Sequence, residues 1–144
     1  MKTTRELLIV DDNPADIVLT CEALAGSSRG TQVSSVGDGE EALAFLNRRE
    51  KYRNTMRPGL VLLDLNLPRK DGRAVLAAMK TDPELRGIPV VVFSTSKLSL
   101  DISRYELGAN CYVSKPGNLK DFFSAIKLIE EFWFGLVTPP PRGE

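Results

Sequence analysis

Three acids, one hydroxyl and one amine each come after a short apolar segment of the sequence. They are Asp11, Asp12, Asp64, Ser94 and Lys115. Two carboxylates about 4 Å apart repel by roughly 4 kcal/mol at an effective dielectric constant near 20, so acids that meet at one site need a proton or a cation between them. Because the chain has no histidine, an oxygen-liganded hard cation is favoured. Mg²⁺ fits best, and Mn²⁺ can substitute for it.

A carboxylate beside such a cation can attack phosphorus and form an aspartyl phosphate. The transferring group spreads negative charge over its equatorial oxygens, and a cation, a lysine and a hydroxyl are the groups that balance this charge. The absence of histidine excludes Ser-His-Asp and Cys-His mechanisms. It also means that any phosphohistidine involved must belong to another protein.

Alternating strand and helix patterns predict how these residues are positioned. The predicted strands are 6–10, 31–36, 60–63, 90–93 and 111–113, and the predicted helices are 14–25, 40–49, 72–80, 99–107 and 120–134. This (βα)5 alternation predicts an α/β fold with a parallel sheet covered by helices on both faces. Five strands fit the flavodoxin-like order 2-1-3-4-5, in which ligands bind at the carboxyl ends of the strands, near strands one and three.

Composition limits the classes of protein to consider. The 144 residues suit one domain, which we expect to span 1–137, and 138–144 contains three consecutive prolines and predicts an extended tail. Nineteen basic and nineteen acidic residues cancel, so we expect no nucleic-acid partner. No apolar run reaches the roughly 20 residues of a membrane span, and residues 1–8 lack a signal-peptide pattern. We therefore expect a cytoplasmic protein with free Cys21 and Cys111 thiols.

Four sequence blocks, in this order and spacing, resemble the signature segments of response-regulator receiver domains. They are LLIVDDNPAD, LVLLDLNLPRKDG, PVVVFSTS and CYVSKP, and the resemblance covers the chain from about Leu7 to Phe134. It implies a two-component phosphorylation switch. Such a switch is not a conventional enzyme, although it catalyses its own aspartyl phosphorylation and dephosphorylation.

The resemblance also implies roles at the metal site. Asp64 is the phosphoacceptor, Asp12 binds Mg²⁺ directly, Asp11 helps through water, and Asn66 supplies a backbone carbonyl to the metal. Asp64 itself also belongs to the metal site.

Further roles are implied for residues around the phosphoryl group. Ser94 hydrogen-bonds that group, Lys115 pairs with one of its oxygens, and Tyr112 occupies an aromatic switch position together with Ser94. The resemblance further implies a cis peptide bond before Pro116.

Structural roles are the alternatives for the same residues. Asp11 and Asp12 could cap the first helix, and Asp64 could be a turn residue. Lys115 could be a solvated lysine, and Tyr112 could be an ordinary core residue. The joint placement of these residues around one edge of the sheet favours the functional interpretation.

A narrower resemblance concerns the partner. The segments LDLNLPRKDGR and IEEFWF, with the basic connection between Arg48 and Arg57, are similar to single-domain regulators that work with bacterial phytochrome histidine kinases. This resemblance implies a red-light-sensing histidine kinase as phosphodonor. The basic connection itself is typical of a solvated loop.

The last predicted helix carries more apolar residues than one core-facing stripe needs. About ten residues follow it, too few for a helix-turn-helix unit, so we expect output through protein contacts. We predict a homodimer through the fourth helix, fifth strand and fifth helix, with Phe123, Phe132, Phe134 and Leu136 at its interface. The alternative is that the tail folds back over these residues.

Two other functions compete with the switch. One is a small phosphatase with Asp64 as transient nucleophile, which is disfavoured because Asn66, two residues on, is no general acid. The other is a receiver-like scaffold that is never phosphorylated, and the complete set of acids argues against it.

Overall fold

The computed structural model describes residues 6–26, 30–95 and 109–136, with side chains up to residue 134. Its strands are β1 (Glu6–Val10), β2 (Gln32–Val36), β3 (Leu60–Leu63), β4 (Val90–Ser94) and β5 (Cys111–Ser114). Its helices are α1 (Pro14–Ala25), α2 (Gly39–Leu46), α3 (Gly72–Thr81) and a C-terminal helix (Leu119–Glu130) that continues as a π-helical turn (Glu131–Leu136). The predicted helix 99–107 and the predicted tail 138–144 lie outside the described residues.

The five strands form one parallel sheet in the order β2-β1-β3-β4-β5. This confirms the predicted fold class and strand order. From β1 the strand order continues to β2 on one side, and from β3 it continues to β4 and β5 on the other. A ligand is therefore expected beyond the carboxyl ends of β1 and β3, where the strand order changes direction.

Alternate residues of the central strands face two separate apolar cores. Leu8 and Val10 of β1 pack with α2 and α3 on one face, whereas Leu7 and Ile9 pack with α1 and the C-terminal helix on the other. Because side chains alternate along a strand, a strand buried on both faces must be continuously apolar. The described helices therefore cover both faces, as predicted.

Local sequence signals set where the helices begin. The Asn13 side chain accepts hydrogen bonds from the backbone N–H groups of Ala15 and Asp16, and Pro14 is the first helical residue of α1. The cap is thus Asn13, and neither Asp11 nor Asp12 takes that role. Asp71 caps α3 in the same way, accepting from the N–H of Ala74.

One predicted helix ends earlier than expected, and another changes from α-helical to π-helical geometry near its end. The second was predicted to reach residue 49, but α2 ends at Leu46, because Arg48 adopts a positive φ of 56° that no α-helix accommodates. The last was predicted as one α-helix to residue 134, but its α-helical part ends at Glu130 and the π-helical turn follows.

The basic connection after α2 is only partly a solvated loop. Arg48 and its basic neighbours are exposed, but the segment forms a 3₁₀ turn over Glu50–Tyr52, and the Tyr52 ring lies 5.1 Å from that of Phe45. The Arg57 side chain donates to the backbone carbonyl of Leu46 at 2.9 Å. Tyr52 and Arg57 therefore attach the connection to the core.

Gly72 opens α3 against the end of β3. A Cβ atom at this position would lie 2.5 Å from the carbonyl oxygen of Asp64 and 2.6 Å from the Cα of Leu65. Both of these atoms belong to the backbone, which cannot rotate away, so the close approach of α3 to the sheet edge requires glycine here.

We expect Gly72→Ala to lower the free energy of unfolding by about 1–3 kcal/mol, the usual cost of overpacking. Gly87→Ala is the matched control, because a Cβ at Gly87 meets nothing within 4 Å. Urea denaturation of both variants measures the difference. Equal stability of the two variants would contradict the packing account.

Candidate functional site

The sheet ladder continues beyond the strands and fixes the backbone of the predicted site residues. The N–H of Asp11 donates to the carbonyl of Val36 at 3.1 Å, and the N–H of Asp64 donates to the carbonyl of Val10 at 2.9 Å. On the other side, the N–H of Lys115 donates to the carbonyl of Ser94 at 3.0 Å. These bonds bring residues more than 100 positions apart to the same edge of the sheet.

Lys115 lies at the centre of the site. Its Nζ atom donates to Asp11 Oδ2 at 2.7 Å, to Asp16 Oδ2 at 2.8 Å and to Asp64 Oδ2 at 2.9 Å. The lysine side chain is only 3% exposed. The alternative of a solvated lysine is therefore wrong, since all three ammonium donors are directed at carboxylates.

Asp64 is buried, with 8% of its surface exposed, and both of its oxygens have partners. Oδ1 accepts from the backbone N–H of Asn66 at 2.9 Å and from the Ser94 hydroxyl at 3.2 Å, while Oδ2 accepts from Lys115. The Asn66 amide also reaches Ser94 Oγ at 3.5 Å. This network orients the carboxylate of Asp64, with the hydroxyl on one oxygen and the ammonium on the other.

Burial and hydrogen bonding shift the pKa values of Lys115 and Asp11 in opposite directions. Burial would by itself lower the pKa of Lys115, but its hydrogen bonds to Asp11, Asp16 and Asp64 raise the pKa above the usual lysine value. Burial raises the pKa of Asp11, although the hydrogen bond from Lys115 and the one from the N–H of Asn13 oppose this rise. Lys115 is thus a permanent cation at neutral pH.

The structure brings only some of the predicted metal ligands together. Asp11 and Asp64 share the ammonium of Lys115, whereas Asp12 is exposed. Within the described ranges, no group of three or more His, Cys, Asp or Glu side chains is close enough to hold a metal ion. The available donors are nonetheless all oxygens, at the sheet edge where the sequence predicted them, and this donor set suits a hard cation such as Mg²⁺ or Mn²⁺.

Tyr112, the predicted switch residue, is half-buried on β5. Its ring packs against the core that β1 and β3 share with α2 and α3, and its hydroxyl accepts from the backbone N–H of Ala109 at 3.1 Å. The residue therefore contacts both the core and the segment that precedes β5.

The prediction of a cis bond before Pro116 is wrong for this structure. The described residues contain no cis peptide bond, so Lys115 and Pro116 are joined in the trans form. The trans form is the intrinsic preference of an X–Pro bond, by about 0.5–1 kcal/mol. With this bond trans, Lys115 already reaches all three carboxylates.

The predicted interface residues do not form one exposed patch. Phe123 and Phe134 are half-buried and pack against the core between the sheet and the C-terminal helix. Phe132 is 50% exposed, and Leu119 and Leu128 are more exposed than Phe132. The side chain of Leu136 lies outside the described residues.

Asp16 is the residue that the sequence analysis missed. It lies in the first turn of α1, two residues after Pro14, and that turn starts at the sheet edge where Asp11 lies. An acid in the first turn of a helix is common because it interacts favourably with the helix dipole. Its position on the turn next to the predicted site was the signal available in the sequence.

Comparison with known proteins places this architecture in a family. The family model described as the response regulator receiver domain matches residues 7–127. The response regulator Rcp1 of Synechocystis is 48% identical over 135 residues, which cover 93% of this chain and 92% of Rcp1.

Two solved structures resemble the chain along almost its whole length. The phosphorylated cyanobacterial phytochrome response regulator RcpA has a TM-score of 0.92 and 48% identity, with 96% of this chain and 100% of that chain covered. The Mn²⁺-bound form of Rcp1 has a TM-score of 0.89 and 46% identity, with 95% and 99% covered. Within residues 6–26, 30–95 and 109–136, no helix combines the length and the apolar character that a membrane span requires.

We expect Lys115→Met to lower the free energy of unfolding by about 3 kcal/mol at pH 7, because it leaves buried carboxylates without their cation. In the folded protein the pKa of Lys115 lies above 10.5, its value in the unfolded chain. The stabilisation that the charged lysine provides is therefore fully present below pH 10.5 and is lost only as the pH rises through the higher pKa of the folded protein. In the variant, Asp11, whose pKa is already raised by burial, loses the opposing hydrogen bond from Lys115, so its protonation as the pH falls from 7 toward 4 should reduce the deficit.

Urea denaturation across this pH range measures the effect, with Lys120→Met as control because Lys120 is exposed. A Lys115→Met variant as stable as the control at pH 7 would show that the three ion pairs do not stabilise the fold.

Proposed function

Because this chain belongs to the response regulator receiver domain family, we propose that it is a phosphorylation switch that accepts a phosphoryl group on Asp64. The observation that carries the proposal is the pairing of the two Asp64 oxygens, one with the Ser94 hydroxyl and the other with the Lys115 ammonium. A hydroxyl and an ammonium on either side of one buried carboxylate are the groups that a transferred phosphoryl group needs.

The transfer conserves atoms and charge as follows. A carboxylate oxygen of Asp64 attacks the phosphorus of the donor's phosphohistidine and forms a new P–O bond. The P–N bond breaks, and its electron pair stays on the donor's imidazole nitrogen. The negative charge on the equatorial oxygens is then met by Lys115 and by the hydroxyl of Ser94. Hydrolysis of the aspartyl phosphate by water returns the carboxylate and releases phosphate.

We propose Mg²⁺, with Mn²⁺ as a substitute, as the cation of this site. Asp11, Asp12, Asp64 and the backbone carbonyl of Asn66 would hold it, and when bound it neutralises charge on the phosphoryl oxygens. The all-oxygen donor set supports this assignment, and so does the Mn²⁺-bound structure of the relative Rcp1. Exposed Asp12 lies next to buried Asp11, so the two carboxylates differ in their access to an incoming ion.

The proposed phosphodonor is a sensor histidine kinase, specifically a bacterial phytochrome. The chain has no histidine of its own, so the phosphohistidine comes from another protein. The similarity to RcpA, a cyanobacterial phytochrome response regulator, supports a light-sensing partner.

The proposed output is a change of surface at β5 and the C-terminal helix. Ser94 would move toward the phosphoryl group, and Tyr112 would follow because both residues belong to adjacent paired strands. We further propose a homodimer on this side of the molecule, in which exposed Phe132 and exposed Leu128, four positions before it, pack against the second copy. The predicted helix 99–107 lies outside the described residues.

Phosphorylation is tested with acetyl phosphate and Mg²⁺, followed by intact-mass measurement and mapping of the label. We expect one phosphoryl group per chain on Asp64, lost in Asp64→Asn and retained in Asp121→Asn, whose exposed carboxylate lies in the first turn of the C-terminal helix. Chelation of the cation should prevent labelling. Absence of label would favour the scaffold, and sustained hydrolysis of phosphate esters would favour the phosphatase.

The dimer is tested by the effect of a charge at Phe132. Burial of a phenylalanine contributes about 1.5–3 kcal/mol, so we expect Phe132→Glu to raise the dimer dissociation constant by about tenfold or more. Sedimentation velocity over a range of protein concentrations measures it. Met56→Glu is the matched control, because Met56 is equally exposed, at 51% against 50%, but lies in the connection before β3. Equal dissociation constants for the two variants would rule out this surface.

A further inference from the structure

Asp16, the third acceptor of Lys115, has no part in the switch chemistry described above. We propose that Asp16 is a positioning residue that keeps the Lys115 ammonium beside Asp64 while the phosphoryl group is transferred. This inference rests on the proposed function, because it concerns the same lysine and the same reaction.

The other two acceptors of Lys115 change during the reaction. The Lys115 ammonium has three donors, and they are directed at Asp11, Asp16 and Asp64. Asp64 loses its charge when it becomes the acyl phosphate, and Asp11 is assigned to the cation. Asp16 is thus the acceptor that can hold the lysine before, during and after transfer.

Asp16 also lies on a segment of backbone that its neighbours hold in place. Its N–H donates to the capping side chain of Asn13 at 3.2 Å, and its carbonyl accepts from the Thr20 hydroxyl at 2.8 Å. The carboxylate therefore projects from a helix that is capped and bonded internally. Through Lys115, it connects the end of β5 to α1 across the site.

Lysine is a flexible side chain that needs more than one partner to hold it in place. Its four-carbon stem has a large rotamer freedom, and a single ion pair restricts it little. In the low-dielectric surroundings of a side chain that is 3% exposed, a second fixed carboxylate restricts the ammonium more strongly than it would in water. The position of Nζ relative to Asp64 is then set by the protein before the donor arrives.

The kinetic test uses two substitutions that differ in whether they keep an acceptor. We expect Asp16→Ala to lower the initial rate of labelling by acetyl phosphate and Mg²⁺ roughly tenfold, as misplacement of a catalytic group does. Asp16→Asn should keep most of the rate, because its amide oxygen still accepts from Lys115. Glu22→Ala is the control for loss of an acid from α1, since Glu22 is exposed on the same helix.

A second measurement needs neither cation nor donor. The shift in the urea midpoint caused by Asp16→Ala should largely disappear when Lys115→Met is already present, because the two side chains act on each other. Additive shifts, or a wild-type labelling rate in Asp16→Ala, would overturn the inference and leave the proposed function intact. Failure of the wild-type protein to accept label on Asp64 would overturn the proposed function and the role of Asp16 in transfer together.

Discussion

Electrostatic balance around the Lys115 ammonium is the constraint on which the rest of the site depends. Three carboxylates that reach one nitrogen would repel one another strongly without it, and the burial of Asp11 and Asp64 amplifies that repulsion. The lysine therefore has a structural role that exists without any phosphoryl group. One ammonium cannot balance three carboxylates, so the remaining negative charge favours the binding of a further cation.

The sheet is what makes this balance possible. Parallel strands bring residues that follow β1, β3 and β5 to one edge, and the ladder bonds beyond the strands hold Asp11, Asp64 and Lys115 at fixed heights. The two cores on either face give this edge a rigid support. Gly72 shows how tightly the edge is packed, because α3 begins against the backbone of Asp64, the proposed phosphoacceptor.

Most of the fold could be predicted from the sequence because its signals are local and repeated. Each central strand is apolar throughout, and Asn13-Pro14 and Asp71-Gly72 mark helix starts by capping chemistry. The positive φ of Arg48 and the π-helical turn after Glu130 were missed, since neither follows from residue type or periodicity. The trans bond before Pro116 contradicts an expectation that came from family resemblance alone, with no physical signal in the residues themselves.

The sequence predicted only those site residues that lie at or just after the ends of strands. Asp11, Asp64 and Lys115 follow strands directly and Ser94 is the last residue of β4, and a parallel sheet brings such residues together whatever their detailed geometry. Asp16 does not follow a strand, and its contact with Lys115 depends on the angle at which α1 leaves the sheet and on the rotamer of a long side chain. Sequence patterns carry information on neither. Contacts of this kind, between a helix turn and a strand end, therefore cannot be predicted from strand ends alone, although Asp16 is itself the last residue of the first signature block.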